Sequence, residues 1–348
     1  DYGYLFITKE WMGRGNMIVN GFERIVGHEQ IVEHLKNAVK YEKVSHAYIF
    51  SGEEGAGKRM LAAAFAKTLQ CSEKGTEPCG TCLSCIQAES GNQPDIIWVS
   101  HEKQNSIGVE DIREQVVGDI QIRPYSSPWK IYIIDEAEKM TVQAQNALLK
   151  TVEEPPAYGV ILLLTTNAEV FLPTILSRCV LLRLKPVGNK KIKTFLMEEI
   201  KVPDYKADLC VAFAQGNVGK AVKLARSESF EEMKGHVVRI FRTVEKMELS
   251  DLLSALKELE AFKTDIYDYL DLSLVWFRDV LLFKVTHDAN VLVFREEVAA
   301  LQKHANRSSY EGLECIITAI EKAKVRLRAN VNFELAMELM LLTIKENL

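Results

Sequence analysis

The stretch HAYIFSGEEGAGKRM, residues 46–60, combines a short apolar run, a glycine-rich turn and the start of a helix. It meets the phosphate-loop pattern G-x-x-x-x-G-K-[ST] at Gly52, Gly57 and Lys58, and departs from it at Arg59. Glycines in such a turn let backbone N–H groups approach phosphate oxygens, and the N-terminus of the following helix favours an anion. The stretch therefore predicts a phosphate-binding loop between a strand and a helix.

Arg59 limits what this loop can do. The serine or threonine normally found at this position supplies an uncharged oxygen to Mg²⁺. A guanidinium carries only donors and a positive charge, so it cannot coordinate the metal. We therefore expect that ATP binding through Lys58 remains possible, whereas metal-assisted hydrolysis is poor or absent.

An acidic pair supports the nucleotide interpretation. The run IYIID, residues 131–135, ends in Asp135, and Glu136 follows it. Nucleotide hydrolases place a magnesium-side aspartate and a water-activating glutamate at such a strand end. Because both carboxylates are present, an active ATPase remains the alternative function.

Short apolar runs alternate with helical patterns between residues 45 and 185. Such runs are typical of strands buried on both faces of a parallel sheet that is covered by helices. After about residue 185 strand patterns cease, and amphipathic helical patterns continue to the C-terminus. The expected fold is an α/β domain built on a parallel sheet, followed by helical domains. The five runs are 47–50, 95–100, 131–135, 160–166 and 180–184.

The length of 348 residues predicts two or three domains, and the change in pattern favours three. Residues 1–16 show no clear periodicity and precede Met17, so we interpret them as an upstream segment outside the fold. The expected domains are residues 17–185 (α/β, with a cysteine module at about 71–90), 186–230 (small helical) and 231–348 (larger helical).

Composition narrows the function classes. The chain is 47% hydrophobic and 26% charged, as in ordinary globular proteins. The net charge of −5 makes a free-standing DNA-binding module the least favoured interpretation. No apolar run approaches the roughly 18 residues of a membrane span, and the cysteines are not spread as in secreted disulfide proteins. We expect a cytoplasmic protein without a membrane partner.

Four cysteines form the most specific metal-site pattern. They follow the spacing C-x7-C-x2-C-x2-C, which suits a tetrahedral four-thiolate site. The pattern offers no open ligand position and no adjacent base, so it predicts a structural Zn²⁺ site. An iron–sulfur cluster is the nearest alternative, and free thiols or disulfides are less favoured. The predicted ligands are Cys71, Cys79, Cys82 and Cys85.

The segment LPTILSRC, residues 172–179, contains Arg178 after a short helical turn opened by Pro173. Taken alone, Arg178 would be interpreted as an ordinary surface residue.

Together these motifs resemble the clamp-loader branch of the AAA+ family. HAYIFSGEEGAGK, the four-cysteine module, DEAEKM, NALLKTVEEPP, TTN and LPTILSRC follow in that family's order, from about Met17 to residue 225. The resemblance implies an α/β AAA+ domain with a P-loop, RecA-like parallel sheet and an inserted zinc module, a small lid domain at 186–230 and an all-α C-terminal collar domain at 231–348. In that family the collar joins five subunits of DNA polymerase III into a ring that loads a sliding clamp onto primed DNA.

The resemblance also implies which subunit this chain is. The motor subunits, tau/gamma, keep serine or threonine after the loop lysine and carry a sensor arginine in the second domain. This chain has Arg59 at the first position and Gly219, beside Lys220, at the second. These departures imply a stator with no intrinsic ATPase activity, whereas a divergent motor subunit or another AAA+ remodeller is the alternative.

For the stator, the implied partners are the tau/gamma and delta subunits and, through the complex, the sliding clamp and primer–template DNA. Arg178 would act in trans as an arginine finger at a neighbour's ATP site. Asp135 and Glu136 would be vestigial or weak. The candidate nucleotide contacts are Gly52, Gly55, Gly57, Lys58, Arg59 and Thr166.

Overall fold

The structure is a computed structural model, and it describes residues 21–348 apart from residues 102, 104 and 330. The upstream segment expected at residues 1–16 lies outside the described residues. The chain divides into two compact units, of which the first ends at Val187 and the second is Gly188–Leu348.

A five-stranded parallel sheet forms the centre of the first unit. Its strand order is β2-β3-β4-β1-β5, and every pair of neighbours is parallel. In the register, Ile49 lies opposite Leu163 on one side and Leu181 on the other. Each predicted apolar run overlaps one strand, so the predicted parallel sheet is confirmed. The strands are β1 (Ala47–Ser51), β2 (Ile96–Trp98), β3 (Lys130–Ile134), β4 (Gly159–Thr165) and β5 (Val180–Arg183).

Helices cover both faces of this sheet. Successive residues of a strand point to opposite faces, so the sheet contributes to two separate apolar clusters. Leu61 and Phe65 pack in one cluster, and Leu148 and Val152 in the other, as the helical spacing predicts. The helices of this unit are α1 (Glu29–Lys40), α2 (Lys58–Gln70), α3 (Leu83–Ser90), α4 (Val109–Ile112), α5 (Val142–Glu153) and α6 (Pro173–Leu176).

The second unit is helical, and no strand follows β5 in the part of the chain that the structure describes. The expected buried face of the last helix is present at Met337, Met340 and Ile344, which are fully buried, whereas Phe333 is half-buried. The helices are α7 (Asn189–Glu198), α8 (Asp204–Ala214), α9 (Val218–Arg226), α10 (Glu228–Thr243), α11 (Leu249–Leu259), α12 (Ile266–Thr286), α13 (Val298–Arg307), α14 (Tyr310–Arg328) and α15 (Phe333–Asn347).

Ion pairs connect distant parts of this unit. Asp208 of α8 lies 2.7 Å from Lys193 of α7 and 3.3 Å from Arg295, which precedes α13. The division of the unit into a lid and a collar stays a prediction. Among the described residues, none of the helices combines the length and apolar character needed to cross a membrane.

A buried histidine stands out in the second unit. His304 on α13 is 1% exposed and lies against Trp276, with ring centroids 6.2 Å apart. Neither of its ring nitrogens has a hydrogen-bond partner among the described residues. Burial, assisted by the charge of Lys303, lowers the pKa of His304 to about 4. The neutral imidazole is therefore the form that the folded protein accommodates.

Acid should destabilise the fold through this histidine. An unfolded histidine has a pKa near 6.5, so below that pH the unfolded chain takes up a proton that folded His304 resists until about pH 4. The difference corresponds to a loss of about 3 kcal/mol in the free energy of unfolding between pH 6.5 and 4. His304→Leu should remove this part of the pH dependence in thermal melts recorded from pH 7 to pH 4. Equal acid sensitivity in the wild type and in His304→Leu would contradict a neutral, buried His304.

Candidate functional site

The predicted phosphate loop joins β1 to α2. Gly55 and Gly57 adopt φ values of 81° and 99°, a left-handed conformation that glycine adopts without strain. Lys58 is buried, and its Nζ donates hydrogen bonds to the carbonyl oxygens of Gly52 (2.6 Å) and Glu53 (2.9 Å). Burial lowers the pKa of Lys58, although neighbouring carboxylates oppose this effect. The Lys58 ammonium group is thus hydrogen-bonded within its own loop.

Arg59 contacts the acidic motif directly. Its Nη1 lies 3.1 Å from Oδ2 of Asp135, and its guanidinium lies over the ring of Trp98, 5.1 Å from the centroid. Asp135, the residue that would face Mg²⁺ in a nucleotide hydrolase, is therefore already paired with a cation. The sequence indicated that Arg59 could not ligate a metal, but it did not reveal this ion pair.

The two glutamates of the acidic motif have different surroundings. Glu136 has a left-handed backbone with φ of 49° and pairs with Lys139 at 2.8 Å. Glu138 accepts a hydrogen bond from the Thr166 hydroxyl at 2.7 Å. Burial opposes ionisation of Glu138, but hydrogen bonds from Thr166 and Thr165 outweigh it and lower the pKa of this carboxyl. Glu138, which we did not predict, is the glutamate that joins Thr166 to this site.

The acidic motif and the loop lie close enough to interact electrostatically. Glu138 and Asp135 are the strongest of the carboxylates that favour the charged form of Lys58. The structure therefore brings Lys58, Arg59, Asp135 and Thr166 together from three neighbouring strand ends.

The four cysteines converge on one point. Their Sγ atoms all lie within 4.8 Å of one another, and those of Cys79 and Cys85 are 4.0 Å apart. Four sulfurs bound 2.3 Å from one ion lie about 3.8 Å apart. Backbone N–H groups of Cys79, Cys82 and Cys85 donate to the preceding ligand sulfurs of Cys71, Cys79 and Cys82 at 3.3–3.4 Å. The group could hold a metal ion.

Hydrogen bonds lower the pKa of two of these cysteines, Cys79 and Cys82, whereas burial raises the pKa of Cys85. Although partial burial opposes ionisation, hydrogen bonds from Ser72 and Cys85 lower the pKa of Cys82 to about 6. Cys82 is also the N-cap of α3, where its sulfur accepts from the N–H of Cys85. Metal ligands must be deprotonated, so the surroundings of Cys82 suit a metal site.

Arg178 lies just beyond α6, and 40% of its side chain is exposed. Its Nη2 lies 3.1 Å from Oε1 of Glu153, the last residue of α5. Its Nη1 donates to the carbonyl oxygen of Thr174 at 3.0 Å and to the hydroxyl of Ser177 at 3.3 Å. The sequence predicted Arg178 but not its partner Glu153.

A buried glutamine joins α5 to the segment before α6. Gln145 is 3% exposed, and its Oε1 accepts from the N–H of Leu172 at 2.9 Å. Its Nε2 donates to the carbonyl oxygens of Met140 (3.3 Å) and Val170 (3.2 Å). Helical periodicity gives no signal for such a role, because it depends on a chain segment about 25 residues away.

Gly219, which stands where the motor subunits carry the sensor arginine, lies in the second unit. Gly219 is in the first turn of α9. Lys220 beside it lies over the ring of Phe213, 5.9 Å from the centroid.

Comparison with known proteins identifies the family. Residues 27–188 match the family described as DNA polymerase III, delta subunit, and residues 240–346 match DNA polymerase III, delta subunit, C terminal. The delta-prime subunit of Bacillus subtilis (strain 168) DNA polymerase III is 31% identical over 91% of this chain and 96% of its own length. The tau subunit of the same organism is 32% identical over 76% of this chain, but only 50% of its own length is covered.

A DNA polymerase III gamma subunit-related protein from Thermotoga maritima has a solved structure with a TM-score of 0.44 and 22% identity, covering 91% of this chain and 99% of that one. The sequence relatives and the parallel sheet with its phosphate loop define the class, a clamp-loader subunit of the AAA+ type. Within that class, the chain belongs to the family of DNA polymerase III delta-prime subunits.

Proposed function

We propose that this chain is the stator of a DNA polymerase III clamp loader, which supplies an arginine finger to a neighbour and does not hydrolyse ATP itself. The observation that carries this proposal is the 3.1 Å ion pair between Arg59 and Asp135. It places a cation on the carboxylate that a hydrolase needs for Mg²⁺. The positive charge of Arg59 beside Asp135 would repel Mg²⁺.

Nucleotide binding without hydrolysis is compatible with the loop. Lys58 would first have to leave the carbonyl oxygens of Gly52 and Glu53, which costs part of the binding free energy. We therefore propose that this chain binds ATP weakly through Gly52, Gly55, Gly57 and Thr166, with Asp135 and Glu136 vestigial.

The four-cysteine group is proposed to hold a structural Zn²⁺. Its sulfurs are close to the spacing of a tetrahedral site, and backbone donors stabilise their charge. When bound, the ion would crosslink residues 71–85 without taking part in a reaction.

The proposed assembly follows the family. The tau/gamma and delta subunits would be the direct partners, and the sliding clamp and primed DNA would be met through the complex. Residues 186–230 would form the lid and residues 231–348 the collar that closes the ring; apart from residues 186 and 187, both belong to the unit Gly188–Leu348. A cytoplasmic location stays a prediction.

The purified chain should show negligible ATPase activity. Arg59→Thr should not create a fast enzyme, because Gly219 and a neighbour's finger would still be limiting. Steady-state hydrolysis with Mg²⁺ measures both, with Lys58→Ala as the control for contaminating activity. Turnover by the wild-type chain that requires Mg²⁺ and is lost in Lys58→Ala would instead support an active AAA+ ATPase.

Reconstitution tests the stator role itself. The chain mixed with tau/gamma and delta should form a ring that loads clamps onto primed DNA, and omission of the chain should abolish loading. Loading at an undiminished rate without it would refute the proposal.

A further inference from the structure

Glu153 occupies a helix position at which an acidic side chain does not stabilise the helix. It is the last residue of α5, and 43% of its side chain is exposed. The C-terminus of a helix carries partial negative charge, so a carboxylate there is electrostatically unfavourable. The carboxylate is instead directed to Arg178, with Oε1 3.1 Å from Nη2.

Three contacts fix the Arg178 guanidinium and leave part of it available. Glu153 forms an ion pair with Nη2, while the carbonyl of Thr174 and the hydroxyl of Ser177 accept hydrogen bonds from Nη1. A guanidinium has five N–H donors. Among the described residues Nε of Arg178 has no hydrogen-bond partner, so this donor remains available for an incoming anion.

Both partners of this pair belong to rigid elements. Val152, directly before Glu153, and Ile175, three residues before Arg178, are buried in the same apolar cluster of the first unit. The partly buried Cys179, directly after Arg178, packs against that cluster as well. The pair can therefore hold the guanidinium in a fixed place relative to the sheet.

We propose that Glu153 is the positioning residue of Arg178, which orients the guanidinium before a neighbour's phosphate arrives. The inference rests on the proposed finger role of Arg178. An arginine side chain has several rotatable bonds, and ordering it in advance removes part of the cost of aligning it with a transition state. Because Glu153 would not touch the nucleotide, its loss should slow turnover without weakening ATP binding.

The test uses a reconstituted ring whose motor subunits lack their own finger arginines, so that Arg178 is the remaining finger. We expect Glu153→Ala to lower kcat about tenfold, since the lost ion pair and the lost orientation both contribute. The KM for ATP should stay within about twofold, because only transition-state alignment is lost. Glu153→Gln, which keeps an acceptor oxygen, should fall between wild type and Glu153→Ala.

Glu154→Ala is the matched control, since Glu154 is the adjacent exposed glutamate. The variant Arg178→Ala with Glu153→Ala should be no slower than Arg178→Ala alone, as expected for residues that act as one unit. If Arg178→Ala itself leaves kcat unchanged, the finger function is refuted. If Arg178→Ala is slow but Glu153→Ala matches Glu154→Ala, or if Glu153→Ala slows the Arg178→Ala ring further, the positioning role alone is refuted.

Discussion

Arg178→Ala is expected to slow ATP hydrolysis at the neighbouring motor site by roughly 10³–10⁵, the range that arginine fingers contribute. The side chain is 40% exposed and is held at the end of a short helix, so its removal should leave the fold and ring assembly intact. Total hydrolysis by a ring with several motor sites should fall much less than this factor. Clamp loading, which depends on the whole ring, is the informative measurement.

Two further variants sharpen this experiment. Arg178→Lys should rescue poorly, because an ammonium cannot reproduce the planar two-pronged contact of a guanidinium with phosphate oxygens. Arg113→Ala is a control for the loss of an exposed, ion-paired arginine, since Arg113 pairs with Glu110 at 3.0 Å on the surface of the same unit. A wild-type loading rate for Arg178→Ala in an intact ring would show that Arg178 is only a surface residue.

Loss of the metal is expected to have the second largest effect. The chain should contain one Zn²⁺, and Cys85→Ser should abolish tight binding, since structural zinc sites contribute about 10–16 kcal/mol of apparent binding free energy. Cys85 is fully buried, so the variant cannot replace the thiolate by simple rearrangement. Residues 71–90 should lose protection from hydrogen exchange. The sheet should keep its protection, because neither of its apolar clusters includes a ligand cysteine.

Elemental analysis and site-resolved hydrogen exchange measure these two effects. Cys315→Ser is the control, since Cys315 is an exposed cysteine outside the cluster and its loss should leave the zinc content unchanged. Less than about one zinc per chain in freshly prepared, reduced protein would contradict the site. Iron with visible absorption would instead establish the iron–sulfur alternative.

The sequence by itself determined the features that depend on residues close together in the chain. Apolar runs located all five strands. The central strand β4 is buried along its whole length and is therefore largely apolar, and the edge strands β2 and β5 are partly buried. The glycines around Lys58 located the turn, since their left-handed backbone disfavours other residues. The spacing of the four cysteines located a group that could hold a metal, because short loops alone bring these sulfurs together.

Only the tertiary structure decided which side chains meet across the fold. Arg59 finds Asp135 because β1 and β3 flank β4 in the sheet, an order that periodicity does not encode. Glu138, which the sequence analysis did not single out, meets Thr166 because the turn after β3 and the end of β4 lie side by side. The pairing of Glu153 with Arg178 likewise depends on packing between α5 and α6. Such contacts join segments tens of residues apart, so strand order and packing fix them, whereas sequence patterns report only local periodicity.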